Sequence, residues 1–223
     1  MPGESNLITS IGPAATQTVP HLHLHLVPRR PGDGLPLPWT PQHSAVALPE
    51  LLGDTPVLVT LIGPPGAGKS TLVRHWLAWW PPTCVQELDG YRAVLCDDAG
   101  EQAVTLEAVN LFHQVLDARL RRRLTTVVDM TSTRADVRVD LVQRAHRHGM
   151  LAVAVVLTTP VERCVTRNAR RPANRCVPEE TVRRLHAETV AALPGLAGEG
   201  FDRVYVHGAV PTKAGERGGR IAP

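Results

Sequence analysis

The chain has 223 residues, 43% of them hydrophobic, and a formal net charge of +3 at pH 7. That length accommodates one α/β domain with a sizeable core plus tails, and the charge is too small to single out a nucleic-acid binder. Cys84, Cys96, Cys164 and Cys176 form neither a C-x-x-C pair nor a zinc-spaced cluster, which argues against a disulfide scaffold and a zinc site. With no apolar run near the ~18 residues of a membrane span and no visible signal peptide, they read as free thiols of a cytoplasmic protein.

Residues 1–50 differ in composition from the rest. Prolines recur from Pro2 to Pro49, so the segment reads as an extended, largely irregular leader. Within it His21-Leu22-His23-Leu24-His25-Leu26 alternates strictly. The pattern fits a short strand with three imidazoles on one face, able to hold a metal, or a small edge strand or docked arm; the second is preferred because no acidic or cysteine ligand is nearby. Residues 208–223 are rich in Gly, Arg and Lys without periodicity and read as a disordered tail. Residues 51–207 are left as the folded domain.

That domain opens on an apolar strand over 57–62, which runs into Gly63-Pro64-Pro65-Gly66-Ala67-Gly68-Lys69-Ser70-Thr71. This is G-x-x-x-x-G-K-[ST] between a predicted strand and a predicted helix, the setting of a phosphate-binding loop. Glycines let consecutive backbone N–H groups turn inward into a concave anion site, and the following helix N-terminus aims unpaired N–H groups at the same point. Lys69 supplies a charge for the β- and γ-phosphates, and the Ser70 hydroxyl suits Mg²⁺. Only Lys69 and Lys213 are lysines among 24 basic residues, so the one ammonium of the predicted domain stands in this loop.

The next helix carries Leu72, Val73, Trp76, Leu77 and Trp80 as one apolar stripe, with Trp79 off it, and Pro81-Pro82 is expected to stop it. Residues 83–88 read as a weaker second strand ending at Asp89-Gly90-Tyr91-Arg92. An acid at a strand's carboxyl end sits beside the phosphate loop if both strands share one parallel sheet. A long helix is predicted with Leu106, Val109, Phe112, Leu116 and Leu120 on one face. A short strand over 125–128 then ends in Asp129, where a carboxylate suits Mg²⁺ directly or through water, or caps the next helix. That helix, 134–148, bears Arg134, Arg138, Arg144 and Arg147 on polar positions and ends at Gly149. An apolar strand over 151–157, a helix after Pro160, a helix over 178–193 and a last strand over 201–207 complete the pattern. Strands alternating with helices predict a P-loop NTPase fold: a three-layer α/β/α sandwich with a parallel five-stranded sheet.

Between the last two strands, Arg163, Arg167 and Arg171 recur at i, i+4 and i+8 before Pro172. Such a cluster repels itself unless an anion compensates, and guanidinium groups match phosphate bidentately. A helix–loop–helix lid over about 160–178 that folds these arginines onto a triphosphate would stabilise charge on the transferred group and exclude water.

With these residues in place the chain resembles the P-loop kinase domain of polynucleotide 5′-kinases, within the AAA-like group that also holds the zeta-toxin kinases. The likeness covers 56–207. It rests on Asp89 with Arg92, on Thr126-Val127-Val128-Asp129-Met130-Thr131, on Arg167-Asn168 with Arg171, and on the 177–183 stretch. The resemblance implies ATP and Mg²⁺ as cofactors and transfer to a 5′-hydroxyl nucleic acid. It makes Asp89 the general base and Arg92, with Thr131, the acceptor contacts. Arg167 and Arg171 become the lid, and Lys69 acts beside them. Where the family shows D-x-T-N, Ser132 stands in place of the asparagine. Small-molecule kinases acting on nucleosides, sugars or antibiotics share the architecture, and a nucleotide-binding regulatory or partner module is the reading from another class. A repair function would call on separate pathway proteins as partners, with no membrane involved.

Overall fold

The computed structural model describes residues 5–8, 24–28 and 48–208. The chain divides into two compact units. In the first, strand β1 (Ser5–Ile8) pairs antiparallel with β2 (His25–Pro28). His25 lies on β2, whereas His21, His23 and residues 209–223 lie outside the described residues.

The second unit is built on strand β3 (Val57–Ile62), buried along its whole length. A strand buried on both faces needs a layer on each side, and its residues divide accordingly. Val57, Val59 and Leu61 pack with Leu72, Val73, Trp76 and Val182 on one face. Leu58 and Ile62 pack with Phe112, Leu116, Leu141 and Val142 on the other. Around β3 a five-stranded parallel sheet runs in the order β4 (Val85–Gln86), β5 (Thr126–Val128), β3, β6 (Leu151–Leu157), β7 (Arg203–His207). The helices are α1 (Leu48–Leu52), α2 (Lys69–Trp76), α3 (Leu88–Cys96), α4 (Thr105–Arg121), α5 (Ala135–Arg147), α6 (Val161–Asn168) and α7 (Glu179–Ala192). The three-layer sandwich expected from the alternating pattern is the fold observed.

Five details depart from the sequence expectations. The second strand shrinks to two residues behind a 3-10 turn, Pro82–Cys84. Residues 88–96 are helical because Leu88 and Tyr91, three apart, both turn into the core beside Phe112. Helix α2 ends at Trp76, ahead of the prolines, and turns carry Trp80 back against Trp76, edge to face with centroids 5.8 Å apart. Leu106 is exposed because it lies about 120° around α4 from Phe112; Ala108, Phe112, Leu116 and Leu120, spaced by four, make the buried face. Arg138, on a polar position by helical period, is buried: its Nε and Nη2 donate to Glu199 Oε2 and Oε1 at 2.7 and 2.5 Å. Its Nη1 donates to the Ser132 carbonyl at 3.1 Å.

Candidate active site

The carboxyl ends of β3, β4 and β5 converge on a cleft of about 980 Å³, the side of an open α/β sheet where ligands bind. Its floor is the loop between β3 and α2. Gly63 donates its N–H to the Thr131 carbonyl at 3.0 Å, tying the loop to the segment after β5. Ala67 N–H closes on Pro64 O at 3.2 Å, and the Thr159 hydroxyl donates to Ala67 O at 2.7 Å. Gly66 has φ +78°, and a Cβ there would stand 2.3 Å from the Cys164 carbonyl oxygen. Only glycine lets the loop pass so close to α6. Pro65, Gly66, Gly68, Lys69, Ser70 and Thr71 line the cleft, while Gly63, Pro64 and Ala67 support it from beneath.

Lys69 Nζ folds back to donate to the Gly63 and Pro64 carbonyls at 2.8 and 3.0 Å. Burial lowers its pKa to about 8, against the nearby Asp129 carboxylate, while Arg171 pushes it further down. Ser70 Oγ donates to Asp129 Oδ2 at 2.9 Å. Asp129, at the tip of β5, is pushed up by burial and held back by Lys69 and the Ser70 hydroxyl. The pair offers hard oxygen donors at the mouth of the anion-binding loop, a donor set that fits a Mg²⁺ ion which keeps waters and phosphate oxygens as its other ligands.

Asp89 sits in the first turn of α3 and not in a loop after a strand, and β5 separates its edge strand β4 from β3. It still faces the cleft. Arg92 Nη1 donates to Asp89 Oδ1 at 2.7 Å, and Arg92 Nε donates to Thr105 Oγ1 at 3.2 Å. On the other side, Arg175 Nε and Nη2 donate to Asp89 Oδ2 at 3.0 and 2.5 Å.

The arginine segment does not form one helical face. Helix α6 ends at Asn168, so Arg171 follows in a turn. Arg167 and Arg171 line the cleft, and Arg167 Nη1 donates to Gly66 O at 3.4 Å. Arg163 instead lines a smaller cleft of about 430 Å³ with His75, Thr159 and His207. Asn168 is buried and bridges the segment, donating from Nδ2 to Val177 O at 2.7 Å and accepting from Val177 N–H at 3.4 Å. Thr131 and Met130 line the cleft, whereas Ser132 is buried with φ +45° and its hydroxyl has no hydrogen-bond partner.

Two cleft residues escaped the sequence reading. Arg175 continues the four-residue spacing of Arg163, Arg167 and Arg171, but it lies beyond Pro172, where the predicted helix breaks. Glu87, the N-cap residue of α3, is pushed up by burial and by the Asp129 carboxylate; its position two residues before Asp89 was the one available signal. Among the described residues no group of three or more His, Cys, Asp or Glu is arranged to hold a metal, and no helix is long and apolar enough to cross a membrane.

A family model described as AAA domain matches residues 58–193, more than half of the chain. The chain belongs to this family. The matched span of the AAA domain contains the loop, Asp89, Asp129 and all the cleft arginines. A second model, described as HIT domain, matches residues 3–32, which include His21, His23 and His25. No curated protein matches the chain. Among solved structures, a chain of the Pnkp1/Rnl/Hen1 RNA repair complex is 20% identical with a TM-score of 0.54, covering 63% of this chain and 46% of that one. A chain of the AvrRxo1-ORF1:-ORF2 complex with ATP is 17% identical with a TM-score of 0.53, covering 69% of this chain and 54% of that one. The chain thus spans about half the length of these relatives. The likeness is one of fold: the AAA domain here has a P-loop kinase-like fold, which implies nucleotide binding.

Proposed function

We propose that the protein is an ATP-dependent phosphotransferase that moves the γ-phosphoryl to a hydroxyl, specifically the 5′-hydroxyl of a polynucleotide. The observation that carries this reading is that one cleft joins an anion-binding loop to a second, acceptor-side carboxylate held by arginine. A nucleotide-binding switch needs the loop and a metal-side acid; it has no need of Asp89 with Arg92 across the cleft.

In this reading Gly63–Ser70 cradles the ATP phosphates and Lys69 leaves its carbonyl partners for their oxygens. Ser70 and Asp129 would hold Mg²⁺, which when bound neutralises phosphate charge. Asp89 takes the proton from the acceptor hydroxyl as that oxygen bonds to the γ-phosphorus, and the bond from phosphorus to the β,γ-bridging oxygen breaks to leave ADP. Arg167 and Arg171 meet the charge on the transferred group, so catalysis is positioning plus electrostatics. Arg92, fixed by Thr105, is placed for an acceptor phosphate.

A small-molecule acceptor is the second reading, and Ser132 favours it. The family's asparagine position is filled by a short side chain buried away from the cleft, so no amide is available there to orient a nucleotide. The deciding experiment is transfer of labelled phosphate from ATP with Mg²⁺ to 5′-hydroxyl oligonucleotides, nucleosides and sugars. Label on oligonucleotides supports the first reading; label on small acceptors alone replaces it with the second. ATP binding without transfer to any of them removes both.

A further inference from the structure

Exposed Arg134, Arg183 and Arg184 each hold a carboxylate: Asp136, the pair Glu162 and Glu179, and Glu188. Arg121, Arg122, Arg123 and Arg147 are exposed too, yet among the described residues none of them is in an ion pair. Arg121 ends α4, Arg122 and Arg123 lead from it towards β5, and Arg147 ends α5 ahead of β6. The four therefore lie at the amino ends of the strands, opposite the cleft. Arg123 Nη2 donates to the Gly149 carbonyl at 3.5 Å, so the two helix ends adjoin. The neighbouring acids are already engaged. Asp117 and Asp140 hold Arg144, and Asp202 accepts the Ala152 N–H and contacts His146.

The backbone points the same way. In α4 the N–H groups of Arg123 and Leu124 donate to the carbonyls of Leu120 and Arg119 at 2.8 and 3.1 Å. In α5 those of Gly149 and Met150 donate to His146 and Ala145 at 3.0 and 3.1 Å. Both ends are the same turn, which needs a left-handed residue, and α5 meets that need with Gly149 at φ +62°. α4 places Arg123 there, at φ +51°, a conformation that is costly for a residue with a Cβ. Strain kept where a glycine would relieve it implies a use for the side chain. Compensation of the helix dipoles is too small a use. Two helix ends together present about one negative charge, against four guanidinium groups, and Arg122 Nη1 already donates to the Ala118 carbonyl at 2.9 Å.

Guanidinium groups on adjoining turns repel one another unless an anion lies across them, and their forks match phosphates bidentately. Segments 121–124 and 146–149 contain no Phe, Tyr or Trp, and Leu124 is their one large apolar side chain. They offer no platform for bases and little to insert into a bilayer, which leaves a phosphate backbone as the partner they fit. We propose that Arg121, Arg122, Arg123 and Arg147 form a second, sequence-independent docking site for a polynucleotide backbone, remote from the reacting end. The identity of the strand rests on the polynucleotide reading above; the site itself does not. Strands β3 and β6, of six and seven residues, set the two ends of the sheet about 20 Å apart. A strand with its 5′ end in the cleft therefore reaches these arginines only beyond roughly six nucleotides, at about 3.4 Å for each.

The test compares the full chain with the double variant Arg121→Gln/Arg147→Gln and with Arg123→Gly. Fluorescence anisotropy uses a labelled RNA of about 20 nucleotides whose 5′ end already carries phosphate, so binding is read apart from transfer. The double variant should bind about tenfold more weakly, and its slope of log K against log salt should flatten by about 1.4, or 0.7 for each lost contact. Arg123→Gly should bind about threefold more weakly while its Tm rises by about 2–4 °C, which separates lost binding from lost folding. In transfer from ATP, the double variant should raise KM about tenfold for a 5′-hydroxyl RNA of that length and leave KM for a dinucleotide unchanged. Unchanged RNA affinity in both variants overturns the proposal, as does an equal loss on the dinucleotide. Binding to anionic phospholipid vesicles that the double variant loses, with RNA affinity intact, overturns it in favour of a membrane surface. Arginine-dependent RNA binding in a protein that transfers nothing upholds the site and overturns the kinase reading. Transfer to long RNA that is indifferent to these arginines overturns the site alone.

Discussion

At the scale of single residues, Asp89 and Lys69 carry the sharpest expectations. If Asp89 takes the hydroxyl proton, Asp89→Asn keeps the side chain's shape and loses the base. Transfer should fall by about 10²- to 10⁴-fold while ATP affinity stays near wild type, as single-turnover kinetics beside an ATP titration would show. Lys69 makes a pH prediction. Its ammonium, lowered to about 8 by burial, is charged below that value and neutral above it in the free protein. Since kcat/KM for ATP reports the free enzyme, it should decline as pH rises through about 8 and hold steady just below. Stability runs the other way. The unfolded chain keeps this proton to a higher pH than the fold does, so the buried charge costs stability at neutral pH. Lys69→Met should raise Tm by about 2–4 °C, the shift that about 1 kcal/mol produces in a domain of this size, while removing ATP binding.

At the scale of elements, the donor loop and α6 are built against each other. The Gly66 backbone runs where a side chain would collide with the Cys164 carbonyl, and Thr159 and Arg167 both hydrogen-bond to loop carbonyls. Gly66→Ala must either strain a left-handed residue or push α6 away, and both disturb the loop. ATP affinity should fall at least about tenfold, measured by calorimetry, with far-ultraviolet circular dichroism unchanged. The α6–α7 pair is braced separately. Arg183 donates to both oxygens of Glu162 at 2.7 and 2.9 Å and to Glu179 at 2.8 Å. These groups are exposed, so the network, which joins α6 to α7, contributes little to stability.

At the scale of the whole molecule, the Arg138–Glu199 pair ties α5 to the 3-10 turn, Leu193–Glu199, that leads into β7. Its side chains are 3% and 15% exposed. Glu199→Ala leaves a buried guanidinium with no carboxylate, and the domain should lose on the order of 3–5 kcal/mol in urea unfolding. Arg144 between Asp117 and Asp140 makes the milder counterpart, nearer the surface and joining α4 to α5. Together these contacts account for Arg138 and Arg144, two of the arginines that helical periodicity alone puts on polar positions.

Period and punctuation decided much of this protein before any coordinates. A strand over 57–62, the glycine-spaced loop with Lys69, the apolar run over 151–157 and the alternation of strands with helices are local patterns, and local hydrogen bonding and burial period are what produce them. Asp129 was legible for the same reason, as the residue that ends a buried strand. What the chain could not announce were the choices made by packing between distant segments. Residues 88–92 became helix because Leu88 and Tyr91 found the Phe112 face, and Arg138 went inside because Glu199, sixty-one residues on, met it there. Arg175 shows the limit most clearly. Its link to Asp89 spans eighty-six residues and depends on Gly100 yielding room to Asn174. No periodicity encodes a contact of that kind; it exists only once the sheet order and the segment between α6 and α7 have brought the two together.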